Sequence, residues 1–164
     1  MATTKRISGI IGACLTPFDA DDRVDYKALE KEIEFLVPDC DAITVAAVEA
    51  AEYTMLSREE RKEVLKVATE MIGKRGPVIL GCSSAAPREV LDLADYAAKV
   101  GGDFIQVLMP LRPWGGQPTI AELMEFYTQV ASASPLPVTC YHNPGPGADP
   151  PQDAFVKISE IDNI

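Results

Sequence analysis

Basic residues are scarce in this chain of 164 residues: 15 Lys+Arg stand against 25 Asp+Glu, for a formal net charge of −10. Phosphate binding needs a basic face, so a nucleic-acid partner is excluded, and docking on an anionic membrane surface with it. No apolar run approaches the roughly 18 residues of a spanning helix. Met1 to Arg6 is short and polar, with no apolar signal-peptide core behind it, so a cytoplasmic protein is expected. Histidine is nearly absent, His142 being alone, and the four cysteines (Cys14, Cys40, Cys82, Cys140) lie far apart without a Cys-x-x-Cys. Zinc ligation wants close pairs and histidines, so no metal is expected and the thiols read as small, reduced core residues. Missing too are the Gly-x-Gly-x-x-Gly fingerprint, the P-loop lysine motif and the Gly-x-Ser-x-Gly elbow. Their absence argues against dinucleotide binding, P-loop chemistry and a serine hydrolase, and no cofactor is expected.

What is present is an alternation. With 47% hydrophobic and 24% charged residues the composition is that of a folded globular chain, and the length suits one domain, 1–164. Five short apolar runs, Ile7–Leu15, Ala42–Val48, Pro77–Cys82, Phe104–Met109 and Leu136–Tyr141, read as strands covered on both faces. Between them apolar residues recur at helical spacing: Leu29, Ile33, Leu36 and Val37; Val64, Ala68, Met71 and Ile72; Val90, Leu93, Ala94 and Ala97; Leu123, Tyr127, Val130 and Ala131. A shorter stripe, Phe155, Ile158 and Ile161, predicts a fifth helix. Ser57–Glu60 and Thr119–Glu122 are capping boxes, Pro87 and Pro151 suit a first helical turn, and Gly73 and Gly101-Gly102 suit helix stops. Strand starts recur at the spacing of βα units, which implies parallel strands with right-handed crossovers.

Two architectures fit. An open, doubly wound five-strand sheet would be complete at this length, whereas a (β/α)8 barrel usually needs about 250 residues. Against the open sheet, Glu160-Ile161-Asp162-Asn163-Ile164 reads as a helix end, a turn and the first residue of another strand. In either case ligands bind at the carboxyl ends of the strands. Glu49 and Glu52 leave an apolar strand and could act as acid, base or amine partner, or be solvated loop carboxylates. Tyr141 is a phenol at a strand end, suited to proton relay or to packing. His142 reads as an oriented structural or pocket-rim residue, and Ser83 and Ser84 as loop hydrogen-bonders.

Taken together, these strand-end segments resemble the dihydrodipicolinate synthase / N-acetylneuraminate lyase family of pyruvate-type class I aldolases. The likeness rests on Leu15-Thr16-Pro17-Phe18 followed by Asp25, and on Leu56-Ser57-x-Glu59-Glu60 after Glu52. It continues through Pro77–Gly81, Pro137-Val138 and Tyr141-His142-Asn143-Pro144-Gly145, in family order over essentially the whole chain. The resemblance implies the α/β TIM-barrel class with only about the first five βα units present. It implies a Schiff-base lyase acting on a small 2-oxo acid or aldehyde, as a homo-oligomer. Tyr141 matches the proton-relay tyrosine. Thr16, Glu49, Ala50, Glu52, Arg112 and His142 fall at substrate-binding positions. The family's Gly-Thr-Thr-Gly-Glu carboxylate loop corresponds to Val48-Glu49-Ala50-Ala51-Glu52, of which only Glu52 is kept. Tyrosines expected after strand four are replaced by Leu111-Arg112-Pro113-Trp114, and Arg112 could supply the lost carboxylate grip. The Schiff-base lysine belongs on a sixth strand, and Lys157 sits on the predicted fifth helix instead. A non-catalytic half-barrel that assembles with another chain, and an open-sheet binding or signalling domain, are the competing readings.

Overall fold

The structure, a computed structural model, describes residues 7–47 and 51–164. Five strands alternate with five helices: β1 Ile11–Cys14, α1 Tyr26–Leu36, β2 Ala42–Val45, α2 Arg58–Ile72, β3 Val78–Gly81, α3 Pro87–Val100, β4 Phe104–Leu108, α4 Ile120–Ala133, β5 Val138–Tyr141 and α5 Gln152–Ser159. The strands are shorter than the apolar runs, because the flanking residues of each run serve the loops.

Local signals set the helix ends. Asp25 caps α1 by accepting from the Lys27 and Ala28 amides, at 3.0 and 3.1 Å. Both capping boxes are formed, Ser57 with Glu60 and Thr119 with Glu122. Pro87 is the first residue of α3, while Pro151 stands one residue ahead of α5, as its cap. Gly101 closes α3 at φ 93°, a left-handed conformation that a Cβ would strain.

Every strand pair is parallel and the order is β1-β2-β3-β4-β5. An open doubly wound sheet would run 2-1-3-4-5, with β1 inside and helices on both faces. Here each crossover advances one strand in the same sense, and each helix packs against the next, α1 to α2 through α4 to α5. That is a sector of a barrel wall: helices outside, inner face turned toward the barrel axis.

Register assigns the faces. Ile43, Val45, Val78, Leu80, Ile105, Val107 and Val138 join the helix stripes in the main core. Ala42, Ile79 and Phe104 form a separate apolar cluster on the inner face. Above it the inner face turns polar: Thr44 donates to Gln106 Oε1 at 3.1 Å across β3. They meet because β3 presents Gly81 there, where a Cβ would lie 1.9 Å from the Ala46 carbonyl oxygen. On β1 only Gly12 and Cys14 are buried, and Ile11 is 47% exposed. That strand is therefore covered on one face, not on both as its apolar run suggests.

At the other edge the Val138 amide donates to the Asn163 carbonyl at 2.9 Å. The same rung recurs within the sheet, where Ile43 N–H bonds Pro77 O and Ile105 N–H bonds Pro137 O. Asn163, a turn residue at φ 71°, thus accepts at the β5 edge as Pro77 and Pro137 do within the sheet, and its Nδ2 donates to Ala131 O and Leu136 O.

Candidate active site

Parallel strands wound in one sense put all their carboxyl ends on one rim. Thr16 follows β1, Glu52 the loop after β2, Ser83 follows β3, Pro110 follows β4, and Tyr141 ends β5. Glu49 and Ala50 lie outside the described residues.

Tyr141 is in register with Leu108, Thr139 with Gln106, and Gln106 with Gly81. Residues in register share a face, so Tyr141 stands on the inner face with the Thr44–Gln106 pair below it. Its carbonyl accepts from the Met109 amide at 3.0 Å, which ties the ends of β4 and β5 together. His142, one residue on, takes the opposite side of the strand. Its Nε2 lies 3.1 Å from Asp149 Oδ1, and its ring meets Phe155 edge-on at 4.8 Å. The structure therefore does not bring His142 to the inner face with Tyr141. Period-two alternation sends it toward α5, where it braces the loop, in keeping with a structural role.

Thr16 and Glu52 are brought together, lining a cavity of about 350 Å³ with Pro17, Phe18 and Glu32. The Thr16 hydroxyl is buried there without a hydrogen-bond partner among the described residues, the residue being 3% exposed. Glu52 holds φ 51°, a left-handed conformation uncommon for a side chain with a Cβ. A second cavity, of about 240 Å³, is walled by Tyr53, Ser83, Leu108 and Arg112. Ser83 Oγ accepts from the Leu108 amide at 2.9 Å, so this serine orders the loop backbone.

Arg112 lies in that wall with its charge already matched. Its Nη2 is 2.7 Å from Glu122 Oε2, and Nε is 3.1 Å from Oε1. Arg112, with the Thr119 amide and hydroxyl behind it, holds the Glu122 carboxyl down at about 2. A guanidinium so engaged would have to share itself with Glu122 to take over the role of the missing hydroxyls toward a substrate carboxylate. The sequence reading passed over Arg61, on the first turn of α2. Its guanidinium turns inward to donate to the carbonyls of Gly81 and Ser83, at 3.0 and 3.2 Å. The only linear signal was an arginine beside a capping box, which ordinarily means a solvated residue.

The seven lysines among the described residues, Lys27, Lys31, Lys62, Lys66, Lys74, Lys99 and Lys157, lie on helices or at their ends. None is on the inner face. Cys14 and Cys82 are buried free thiols, each pushed up to about 12 chiefly by burial, so neither is a ready nucleophile at neutral pH.

A singly wound parallel wall with its polar rim at the carboxyl ends is part of a (β/α)8 barrel. The Dihydrodipicolinate synthetase family pattern matches residues 6–164, and the chain belongs to that family. It is 35% identical over 136 residues to a 4-hydroxy-tetrahydrodipicolinate synthase of Acidiphilium cryptum, covering 83% of this chain and 46% of the relative. The Synechocystis enzyme of the same name is 31% identical over 99% of this chain and 54% of its own. Among solved structures, dihydrodipicolinate synthase from Acinetobacter baumannii, complexed with pyruvate, superposes with a TM-score of 0.89 at 32% identity. That match covers 97% of this chain and 54% of the other. An N-acetylneuraminate lyase from Mycoplasma synoviae gives a TM-score of 0.79 at 25% identity, over 94% and 52%. The chain spans about half the length of the relatives it matches.

Proposed function

We propose that this chain supplies the rim and proton-relay half of a Schiff-base aldolase or lyase that makes or breaks a C–C bond next to a 2-oxo acid. The observation that carries the reading is the position of Tyr141, on the inner face at the carboxyl end of β5, on the rim that also holds Thr16, Glu52 and Ser83. In such chemistry a neutral amine adds to the keto carbon, and the resulting hydroxyl leaves as water once it receives a proton. A phenol at Tyr141 can give that proton and recover it from the amine nitrogen, so the cycle balances without net proton uptake. By the family resemblance, the amine is to be sought on a sixth strand. Dihydrodipicolinate synthesis fits less well than another reaction of the family, since hydroxyls are missing at 49–50 and tyrosines after β4.

The test is borohydride trapping with pyruvate and related 2-oxo acids, read by intact mass. The 164-residue chain is expected to give no stoichiometric adduct. A chain continued through a lysine-bearing sixth strand is expected to give one. A single-site adduct on the 164-residue chain would overturn the placement of the nucleophile.

A further inference from the structure

Arg61 stands apart from the arginines that pair with carboxylates. Arg58 pairs with Asp92, Arg75 with Glu34 and Arg112 with Glu122. No ion pair among the described residues includes Arg61. Its guanidinium is held by two carbonyls and lies over the Tyr53 ring, 5.0 Å from the centroid. Its Nε is shut off from solvent without an acceptor among the described residues. The neighbouring Cys82 thiol, raised to about 12 by burial, is neutral and offsets nothing. Burial lowers the Arg61 pKa, the direction for a cation without a counter-ion. Carbonyl dipoles orient such a cation but leave its net charge intact. Tyr53 and Ser83, the groups it touches, are themselves walls of the 240 Å³ rim cavity.

We propose that Arg61 determines the preference of this rim for substrates bearing a carboxylate, acting through the Tyr53–Ser83 wall in place of the hydroxyl pair absent at positions 49 and 50. The inference rests on the proposed 2-oxo acid reaction. A charge held at low local dielectric attracts an anion over a distance at which a solvated one would be screened. Because it acts through charge and not through shape, Arg61 separates an acid from its neutral ester more sharply than one 2-oxo acid from another. Arg112 lines the same cavity but is neutralised by Glu122, so it contributes little to that preference.

The experiment titrates the ¹⁵N-labelled chain with pyruvate and with methyl pyruvate. In the parent chain the Arg61 Nε–H resonance should shift with the acid and not with the ester. Arg61→Met should weaken pyruvate by about tenfold or more, the scale of one unscreened charge several ångströms away. It should leave the ester unchanged, and Arg61→Lys should retain much of the preference. Equal losses for acid and ester, or unchanged pyruvate affinity in Arg61→Met, would overturn the inference. Should Arg61→Met not fold, the parent resonance and the Arg61→Lys affinities decide alone. A parent chain that binds both ligands without preferring the acid defeats only the Arg61 assignment. One that binds neither defeats the catalytic reading as well.

Discussion

On the proposed reading, the ring of Tyr141 stands beside Leu108 at the end of β4 and its hydroxyl transfers protons on the rim. Tyr141→Phe keeps the first and deletes the second. In the complete enzyme it should lower kcat by about 10²- to 10⁴-fold, the usual worth of a positioned acid–base group, with the stability of the fold little changed. Steady-state kinetics alongside a thermal melt would check this, and an unchanged rate would make Tyr141 a packing residue. Restoring Thr at both 49 and 50 should strengthen pyruvate binding by roughly 1–3 kcal/mol, from regained hydrogen bonds and a removed carboxylate. Glu122 offers a pH test. Its folded pKa of about 2 lies below the ordinary value of 4.5, so its contribution to stability is present above about pH 4.5. That contribution is lost as pH falls from there toward 2. Arg112→Met removes the largest cause and should move the Glu122 carboxyl titration, followed by ¹³C NMR, upward toward its ordinary range. It should leave the preference for acid over ester intact, unlike Arg61→Met.

At the scale of elements, the alternation of strand and helix was legible because each element carries its own instructions. Capping boxes, Gly101 and the apolar stripes of α1 to α4 act within a few residues of where they stand, so they can be read along the chain. The α5 stripe was less so. The structure buries Ala154 and Ile158, leaves Phe155 half-buried against the His142 ring, and puts Ile161 past the helix end. A helix of eight residues holds too few positions for periodicity to decide its face. The contact between β2 and β3 was not legible at all. It depends on Gly81, which the sequence shows as one glycine at the end of an apolar run. Gly81→Ala would place a methyl group against the Ala46 carbonyl and the Ala47 Cα, both backbone. Denaturant unfolding should show a loss of roughly 1–3 kcal/mol, the usual cost of overpacking. A neutral result would mean that the two strands can move apart.

For the whole molecule, the inner face of β1 lacks cover among the described residues. Ile10, Ile11 and Leu15 are all prominently exposed. The 164-residue chain should therefore self-associate with rising concentration, seen by sedimentation, and Ile11→Lys should reduce it. A monodisperse monomer at high concentration would show that this exposed face does not drive association. Composition, helix limits, the parallel βα repeat and the candidate rim residues Thr16, Glu52 and Tyr141 were determined by the sequence alone, since each follows from short-range chemistry or from motifs with a fixed order. Whether the repeats wind into a flat sheet or a barrel wall was decided only in three dimensions, because crossovers in either direction use the same alternation of strand and helix. The same holds for the fate of the charged groups. Arg112 and Arg61 look alike along the chain, yet folding hands the first a carboxylate at 2.7 Å and buries the second on two carbonyls. Charge neutralisation depends on which distant side chains meet, and that is a property of the packed structure.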